Sequence, residues 1–169
     1  MPYKIIFMGT PQFSVSVLEA LVKSSYKISC VYTQSPKRSN RGQKLNSSAV
    51  QLCAENSELV VRNPNNLNTD EELKFFKKLN PDIVVVVAYG KLIQKKFLDI
   101  PKRGFINIHA SLLPKWRGAA PIQRAVMNLD KKVGVSIMKI TEDLDSGPVM
   151  KKIEIDINPS DTSGIISEK

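Results

Sequence analysis

The sequence has few of the residues on which several classes of protein depend. Its 169 residues include two cysteines and one histidine. The two isolated cysteines, Cys30 and Cys53, are too few for a disulfide framework. We expect both to be buried thiols, which suits a reducing cytoplasm. With one histidine available, a zinc site would need an unusual ligand set. The composition therefore excludes small disulfide-rich domains and disfavours zinc proteins.

Long hydrophobic runs and common nucleotide motifs are missing as well. The longest apolar runs, such as Ile83–Tyr89, are far shorter than the roughly 20 residues that a membrane-spanning helix needs. The first residues make a poor signal peptide, because Gly9 and Pro11 interrupt a short apolar run. No Gly-x-Gly-x-x-Gly motif, phosphate loop or nucleophile elbow occurs. We expect a cytoplasmic protein without a membrane partner or a dinucleotide site.

Positive charge, in contrast, is abundant. There are 25 Lys and Arg residues against 16 acidic ones, which gives a net charge of +9 and a pI near 9.6. A basic surface favours polyanionic partners such as nucleic acid, although a solvated lysine-rich surface would look the same. The segment Gln34–Ser48 begins with several basic and no acidic residues and shows no periodicity, which predicts an irregular loop.

Strand-like and helix-like segments alternate along the chain. The central run IVVVVA at Ile83–Ala88 is typical of a strand buried on both faces. The pattern predicts an α/β fold: a doubly wound, mostly parallel Rossmann-like sheet with helices on both faces. The other predicted strands are Lys4–Met8, Lys27–Thr33, Leu59–Arg62, Phe105–His109 and an antiparallel pair, Val133–Ile140 and Val149–Ile157. The predicted helices carry Phe13–Val22, Ala49–Ser57, Leu73–Leu79 (with Thr69 as N-cap) and Ile122–Leu129.

Ligands of such sheets bind beyond the carboxyl ends of the strands, where Gly9–Pro11, Ala88–Gly90 and His109 are expected. Asn107 and His109 are two residues apart on a strand, so both side chains point to one face. Together they offer two donors for an oxyanion. A nearby carboxylate would orient His109 and favour its charged form; Glu142, Asp143 and Asp145 are the candidates. The spacing alone also fits a histidine that caps the strand and an asparagine bonded to backbone.

Four motifs extend this interpretation through a resemblance. NIHASLLPKWRGAAPIQ resembles the signature of folate-dependent formyltransferases, and its WRGAAPIQ part resembles the branch that formylates methionyl-tRNA. IIFMGTPQFSVSVLEAL, VVVVAYGKLI and RGQKL are similar to other motifs of that family. The resemblance spans essentially the whole chain. It implies that residues 1–169 are a formyltransferase catalytic domain, C-terminally incomplete and without the family's C-terminal β-barrel domain.

The resemblance implies an enzyme that moves the formyl group of 10-formyltetrahydrofolate to the α-amine of initiator methionyl-tRNA, for translation initiation. The catalytic residues would be Asn107, His109 and Asp145. Asn107 and protonated His109 would stabilise the oxyanion, while Asp145 would orient His109 and help to remove the amine proton through water. We expect a monomer, and the reaction needs no metal.

The resemblance also implies two binding regions. The formyl donor would contact Ala88, Tyr89, Gly90, Lys91, Leu92, Ser111, Leu112, Leu113, Pro114 and Thr141. The tRNA acceptor end would be held by Lys37, Arg38, Arg41 and Lys44. Two alternatives stay open: a related formyltransferase that acts on glycinamide ribonucleotide or a sugar nucleotide, and a fragment that binds without turnover. The first of these acceptors would call for a Gly/Ser-rich turn where this chain has GTPQF.

Overall fold

The computed structural model describes residues 2–39 and 44–169. In chain order its elements are β1 (Lys4–Gly9), α1 (Val15–Val22), β2 (Lys27–Tyr32), β3 (Lys37–Ser39), β4 (Lys44–Asn46), α2 (Ala49–Asn56), β5 (Val61–Arg62), α3 (Asp70–Leu79), β6 (Ile83–Val87), α4 (Lys95–Leu98), β7 (Phe105–His109), α5 (Pro121–Met127), β8 (Lys132–Lys139), β9 (Val149–Asp156) and α6 (Ser163–Glu168). They form a mixed, mostly parallel sheet with helices, which confirms the predicted fold class.

The chain divides into two compact units, Met1–Phe105 and Ile106–Lys169. In the first unit, four parallel strands lie in the order β5-β2-β1-β6. The last four residues of β6 are buried, as its β-branched run predicts. Phe76 of α3 is fully buried and packs on the rings of Tyr32, Phe97 and Phe105, with centroids 5.8, 5.3 and 6.1 Å away. This aromatic cluster fixes α3 against the sheet.

A buried carboxylate in the first turn of α3 links that helix to two strands. Glu72 accepts hydrogen bonds from the Tyr32 hydroxyl at 3.1 Å and from Arg62 Nε at 2.9 Å, and it also pairs with Arg62 Nη2. Thr69 caps the same turn, because its hydroxyl accepts from the Glu72 backbone N–H at 3.3 Å. Burial raises the pKa of Tyr32, so this hydroxyl remains a neutral donor.

The second unit is built on antiparallel strands in the order β7-β8-β9. Asn107 pairs with Met138, and His109 pairs with Ser136. Gly134 faces β9 so closely that a Cβ there would lie 2.0 Å from the Ile153 carbonyl oxygen. The small core of this unit consists of Ala125, Val133 and Ile166, with Trp116, Ile122, Val126, Ile155 and Ile157 packed against it. The short helix α6 contributes one buried side chain, Ile166, to this core.

Several local predictions were wrong or incomplete. The predicted irregular loop Gln34–Ser48 contains two short strands, β3 and β4, paired antiparallel. Helix α4 was not predicted, because its single turn has too few residues to show a period. Leu129 lies beyond α5 with a φ of 53° and is exposed. Strand β5 (Val61–Arg62) is shorter than the predicted strand Leu59–Arg62, and Cys53 is only half-buried. Within residues 2–39 and 44–169, no helix is long and apolar enough to cross a membrane.

Candidate active site

The carboxylate of Asp145 is the centre of a polar cluster in the second unit. Its Oδ1 accepts from Asn107 Nδ2 at 3.2 Å, and its Oδ2 accepts from the Gly118 backbone N–H at 2.9 Å. His109 Nδ1 lies 3.6 Å from the same Oδ2. The side chains of His109 and Asp145 are only 8% and 13% exposed. Of the three acids considered from sequence, Asp145 is the one placed beside the histidine.

The strand β7 explains why Asn107 and His109 reach the same carboxylate. Side chains two positions apart on a strand project from one face of the sheet, as predicted. Asp145 approaches them from the connection between β8 and β9, where it adopts a φ of 45°. That connection is tight: a Cβ on Gly147 would lie 1.9 Å from the Lys139 carbonyl oxygen. The predicted residue Thr141 contributes here by donating to the Asp143 carbonyl at 3.5 Å.

The other ring nitrogen of His109 contacts backbone. Nε2 lies 2.9 Å from the Trp116 carbonyl oxygen. Because a carbonyl oxygen can only accept, the bond requires a proton on Nε2. In the neutral ring, Nδ1 is then the nitrogen without a proton, and it is the one that faces Asp145. The 3.6 Å gap is longer than a hydrogen bond, and the contact is an ion pair only when the ring carries both protons.

The predicted donor-contacting residues of the second unit follow β7 directly. Ser111 is fully buried, and its hydroxyl donates to the Lys115 carbonyl at 2.7 Å. Ser136 of β8 donates to the Ser111 carbonyl at 2.7 Å and accepts from the Leu113 N–H at 3.1 Å. The Ser111 side chain is thus used within the loop. Leu112 is half-buried, Leu113 is buried, and Pro114 follows a cis peptide bond and is exposed.

The predicted donor-contacting residues of the first unit follow β6. Ala88 and Gly90 have φ values of 48° and 76°, and both are exposed together with Leu92. The buried Tyr89 is fixed through its carbonyl, which accepts from Thr10 Oγ1 at 2.9 Å and from Gln34 Nε2 at 3.0 Å. The Thr10 bond therefore joins two segments that follow neighbouring strands, Gly9–Pro11 and Ala88–Gly90.

The ammonium group of Lys91 also binds backbone. It donates to the Asn65 carbonyl at 3.1 Å and to the Pro64 carbonyl. Burial, followed by the nearby charge of Lys37, lowers the pKa of Lys91. Both carbonyls belong to the loop before α3, so Lys91 connects the segment after β6 to that loop.

The predicted nucleic-acid residues lie in and between β3 and β4. Lys37 is exposed at the start of β3, Arg38 follows it, and Lys44 begins β4. Register pairs Lys37 with Asn46 and Ser39 with Lys44. Arg41 lies outside the described residues.

Sequence reasoning missed the residues that support this cluster. Trp116 and Gly118 contribute backbone groups, and Ser136 fixes the loop after β7. Asp130 holds the Trp116 indole with a 2.7 Å hydrogen bond. The only signal was that Trp116 is the single tryptophan; nothing in the pattern connects it to Asp130. In the part of the chain that the structure describes, no group of three or more His, Cys, Asp or Glu residues is arranged to hold a metal ion.

Comparison with known proteins gives a consistent result. The model of the formyl transferase family matches residues 3–169. A methionyl-tRNA formyltransferase from Pelagibacter ubique is 55% identical over 170 residues, which cover 100% of this chain and 55% of that protein. One from Roseobacter denitrificans is 49% identical and covers 98% of this chain and 54% of that protein. This chain therefore spans about half the length of these relatives.

Solved structures share the fold at lower identity. Phosphoribosylglycinamide formyltransferase from Anaplasma phagocytophilum superposes with a TM-score of 0.80 at 23% identity, over 99% of this chain and 79% of that one. The enzyme of the same name from Bacillus halodurans gives a TM-score of 0.78 at 19% identity, over 98% of this chain and 86% of that one. At these identities the match concerns the fold alone.

Proposed function

Since the chain belongs to the formyl transferase family, we propose that it transfers the formyl group of 10-formyltetrahydrofolate to the α-amine of initiator methionyl-tRNA. The observation that carries the proposal is the convergence of Asn107 and His109 on the largely buried carboxylate of Asp145. The relatives at 55% and 49% identity, named as methionyl-tRNA formyltransferases, support this acceptor over glycinamide ribonucleotide. The reaction would serve translation initiation in the cytoplasm.

In the proposed reaction, the α-amine nitrogen attacks the formyl carbon and forms the new C–N bond. The bond from that carbon to the tetrahydrofolate nitrogen then breaks, and one amine proton passes to the leaving nitrogen. The intermediate is tetrahedral and carries an oxyanion. Asn107 has a second amide hydrogen beyond the one given to Asp145, so it can donate to that oxyanion. One such donor is typically worth about 10²–10³ in rate.

His109 would stabilise the oxyanion, and Asp145 would accept the amine proton. With Nε2–H held by the Trp116 carbonyl, a second proton on Nδ1 gives a cationic ring that donates to the oxyanion. Asp145 compensates that charge from 3.6 Å. An α-amine titrates near pH 8, so enough neutral amine is present to attack, and Asp145 would accept its proton through water.

The formyl donor would bind through backbone. Ala88 and Gly90 have left-handed conformations and are exposed. The residue between these two, Tyr89, is held by the hydrogen bonds that its carbonyl accepts from Thr10 and Gln34. Such a fixed segment presents peptide groups to a heterocycle without side-chain rearrangement. Leu92, Ser111–Pro114 and Thr141 complete the proposed contacts.

The tRNA would be bound by the basic residues Lys37, Arg38, Arg41 and Lys44. The sequence of this segment contains no acidic residue, and Lys and Arg side chains are the usual partners of nucleic-acid phosphates. We expect Arg41→Ala to weaken the use of methionyl-tRNA strongly and to leave affinity for the folate unchanged. Lys102→Ala, at an exposed site in the same unit, removes one charge as the control. Equal losses for both ligands would contradict a tRNA-binding role.

The main test is a formylation assay with charged initiator tRNA, with glycinamide ribonucleotide as the competing acceptor. It is run with this chain and with a chimera that adds the part of the 55%-identical relative outside the match. We expect formyl transfer to methionyl-tRNA only. Transfer by neither protein, or to glycinamide ribonucleotide alone, would refute the proposal.

The catalytic assignment is tested in the same assay with Asn107→Ala and His109→Ala. Both variants should lose transfer by about 10²-fold or more and still bind the folate. Asn158→Ala, which removes an exposed amide outside the family motifs, is the control and should transfer normally. Near-normal turnover in either site variant would refute the assigned roles.

A further inference from the structure

The segment Lys115–Gly118 (hereafter the Trp116 loop) contributes two backbone groups to the cluster. The Trp116 carbonyl accepts from His109 Nε2 at 2.9 Å, and the Gly118 N–H donates to Asp145 Oδ2 at 2.9 Å. Backbone groups have no side-chain freedom of their own. Whatever fixes the Trp116 loop therefore fixes the orientation of the histidine ring and of the carboxylate.

One aspartate outside the Trp116 loop, Asp130, binds two of its side chains. Asp130 Oδ2 accepts from the Trp116 indole N–H at 2.7 Å, and Oδ1 accepts from Lys115 Nζ at 2.7 Å. Asn128 Nδ2 donates to the same Oδ1 at 2.6 Å. The Asp130 side chain is only 7% exposed, whereas that of Lys115 is 54% exposed. The indole bond is therefore the better shielded link between Asp130 and the loop.

Two further observations show that the surroundings hold Trp116 in place. The indole packs against the core of the second unit, which contains Ala125, Val133 and Ile166. Trp116 also has a φ of 59°, a backbone conformation that is costly for a bulky residue and persists only where its surroundings hold it. The indole is thus held by the hydrogen bond to Asp130 and by packing against this core, while the backbone carbonyl of Trp116 faces His109.

We propose that Asp130 is a positioning residue, which acts through the Trp116 indole and carbonyl to keep the proton of neutral His109 on Nε2. This proposal rests on the proposed function, because it gives His109 Nδ1 the task of gaining and losing a proton beside Asp145. Without the fixed carbonyl, the ring could carry its proton on either nitrogen. Asp130 contacts neither His109 nor Asp145, so its effect on the reaction is indirect.

The composition of the chain makes the test direct. There is one histidine, so the two imidazole nitrogen signals of the ¹⁵N-labelled protein come from His109 alone. At a pH where the ring is neutral, their shifts distinguish the protonated nitrogen from the bare one. We expect Nε2–H in the unsubstituted protein. Asp130→Ala and Trp116→Phe, which remove the acceptor and the donor of the same bond, should both give a mixture of tautomers.

Kinetics provide a second readout. Both variants should lower kcat for formyl transfer by about 10- to 100-fold and change KM little, because the reacting groups are misplaced while substrate contacts remain. Both variants lack the indole bond, and Asp130→Ala also loses the bonds from Lys115 and Asn128. If the indole bond is the effective link, the double variant should lose no more than the more affected single variant. Asp130→Asn keeps a carbonyl oxygen that can accept the indole N–H, so it should recover most of the Nε2–H population.

The matched control is Asp161→Ala. Asp161 has an equally buried side chain, 7% exposed, and a lysine partner, Lys169, at 2.5 Å, but it does not contact the Trp116 loop. An unchanged Nε2–H tautomer in folded Asp130→Ala and Trp116→Phe would overturn the positioning role. Equal kcat losses in Asp130→Ala and Asp161→Ala would overturn it too. Failure of the proposed function would be visible separately, as absent transfer in the unsubstituted protein.

Discussion

Replacement of Asp145 by asparagine changes the cluster with almost no change in shape. The carboxylate accepts from two donors, Asn107 Nδ2 and the Gly118 N–H, through different oxygens. An asparagine has one acceptor oxygen and an NH₂ group in place of the other. One of the two donors must therefore face another donor, and the negative charge beside His109 disappears.

The size of the effect follows from the burial of the group. The Asp145 side chain is 13% exposed, so a donor left without an acceptor pays most of its desolvation cost, about 1–3 kcal/mol. For a chain of this length, each kcal/mol lowers Tm by roughly 2–4 °C. Formyl transfer should fall by about 10²–10³-fold, since the group that orients and compensates His109 is neutral.

The assay pairs Asp145→Asn with the exchanged variant Asn107→Asp/Asp145→Asn. In the exchange, the new NH₂ group donates to a carboxylate at position 107, while the amide oxygen at position 145 accepts from the Gly118 N–H. Urea unfolding should show most of the lost stability restored. Formyl transfer should stay low, because position 107 then offers the oxyanion a carboxylate instead of an amide donor.

Two results would refute this reasoning. Unchanged stability of Asp145→Asn would mean that the two donors do not depend on the carboxylate. Restored formyl transfer in the exchanged variant would mean that a negative charge in the cluster is enough, whichever residue carries it. In that case, the separate tasks given to Asn107 and Asp145 are wrong.

Three further predictions concern stability. Phe76→Ala should cost about 3–5 kcal/mol in urea unfolding, because the ring is fully buried among three other aromatic rings, and Phe76→Leu should cost clearly less; equal losses would contradict a packing effect. Thr69→Ala should cost about 1 kcal/mol and Thr69→Ser much less, because only the serine keeps the cap on Glu72 N–H; a loss of similar size in both would point away from capping. Burial raises the pKa of Asp130, but hydrogen bonds from Lys115, Asn128 and Trp116 outweigh it and lower that pKa below 3.8. The stabilisation of the fold by ionised Asp130 is therefore complete above about pH 4 and is lost as the pH falls through the folded-state pKa. The difference in unfolding free energy between the unsubstituted protein and Asp130→Ala should shrink on acidification. A difference that does not change with pH would contradict this.

Elements with a strong local pattern were predictable from the sequence. The β-branched run at Ile83 gave a buried strand, and β7 has the predicted bounds Phe105–His109. The two-residue spacing of Asn107 and His109 placed both on one face, because strand geometry leaves little choice. The nearby acid was narrowed to three candidates in the connection between β8 and β9.

The missed features depend on contacts between residues distant in sequence or on very short elements. Strand β3 is three residues of Lys, Arg and Ser, which show no alternation of apolar and polar side chains, so its pairing is invisible locally. Helix α4 is one turn long and carries no period. The link from Asp130 to His109 uses an indole and a carbonyl of the same residue. Only the path of the Trp116 loop reveals it.

The carboxylate of Glu72 also constrains how this sequence can change over evolutionary time. Glu72 is buried and is shared by Tyr32 and Arg62, residues of two different strands. Loss of Arg62 alone would leave a buried charge without its counter-ion, at a cost of about 3–5 kcal/mol, whereas joint replacement by apolar residues can be neutral. Positions 62 and 72 should therefore covary across the family: a lineage that loses one partner is expected to have replaced the other as well.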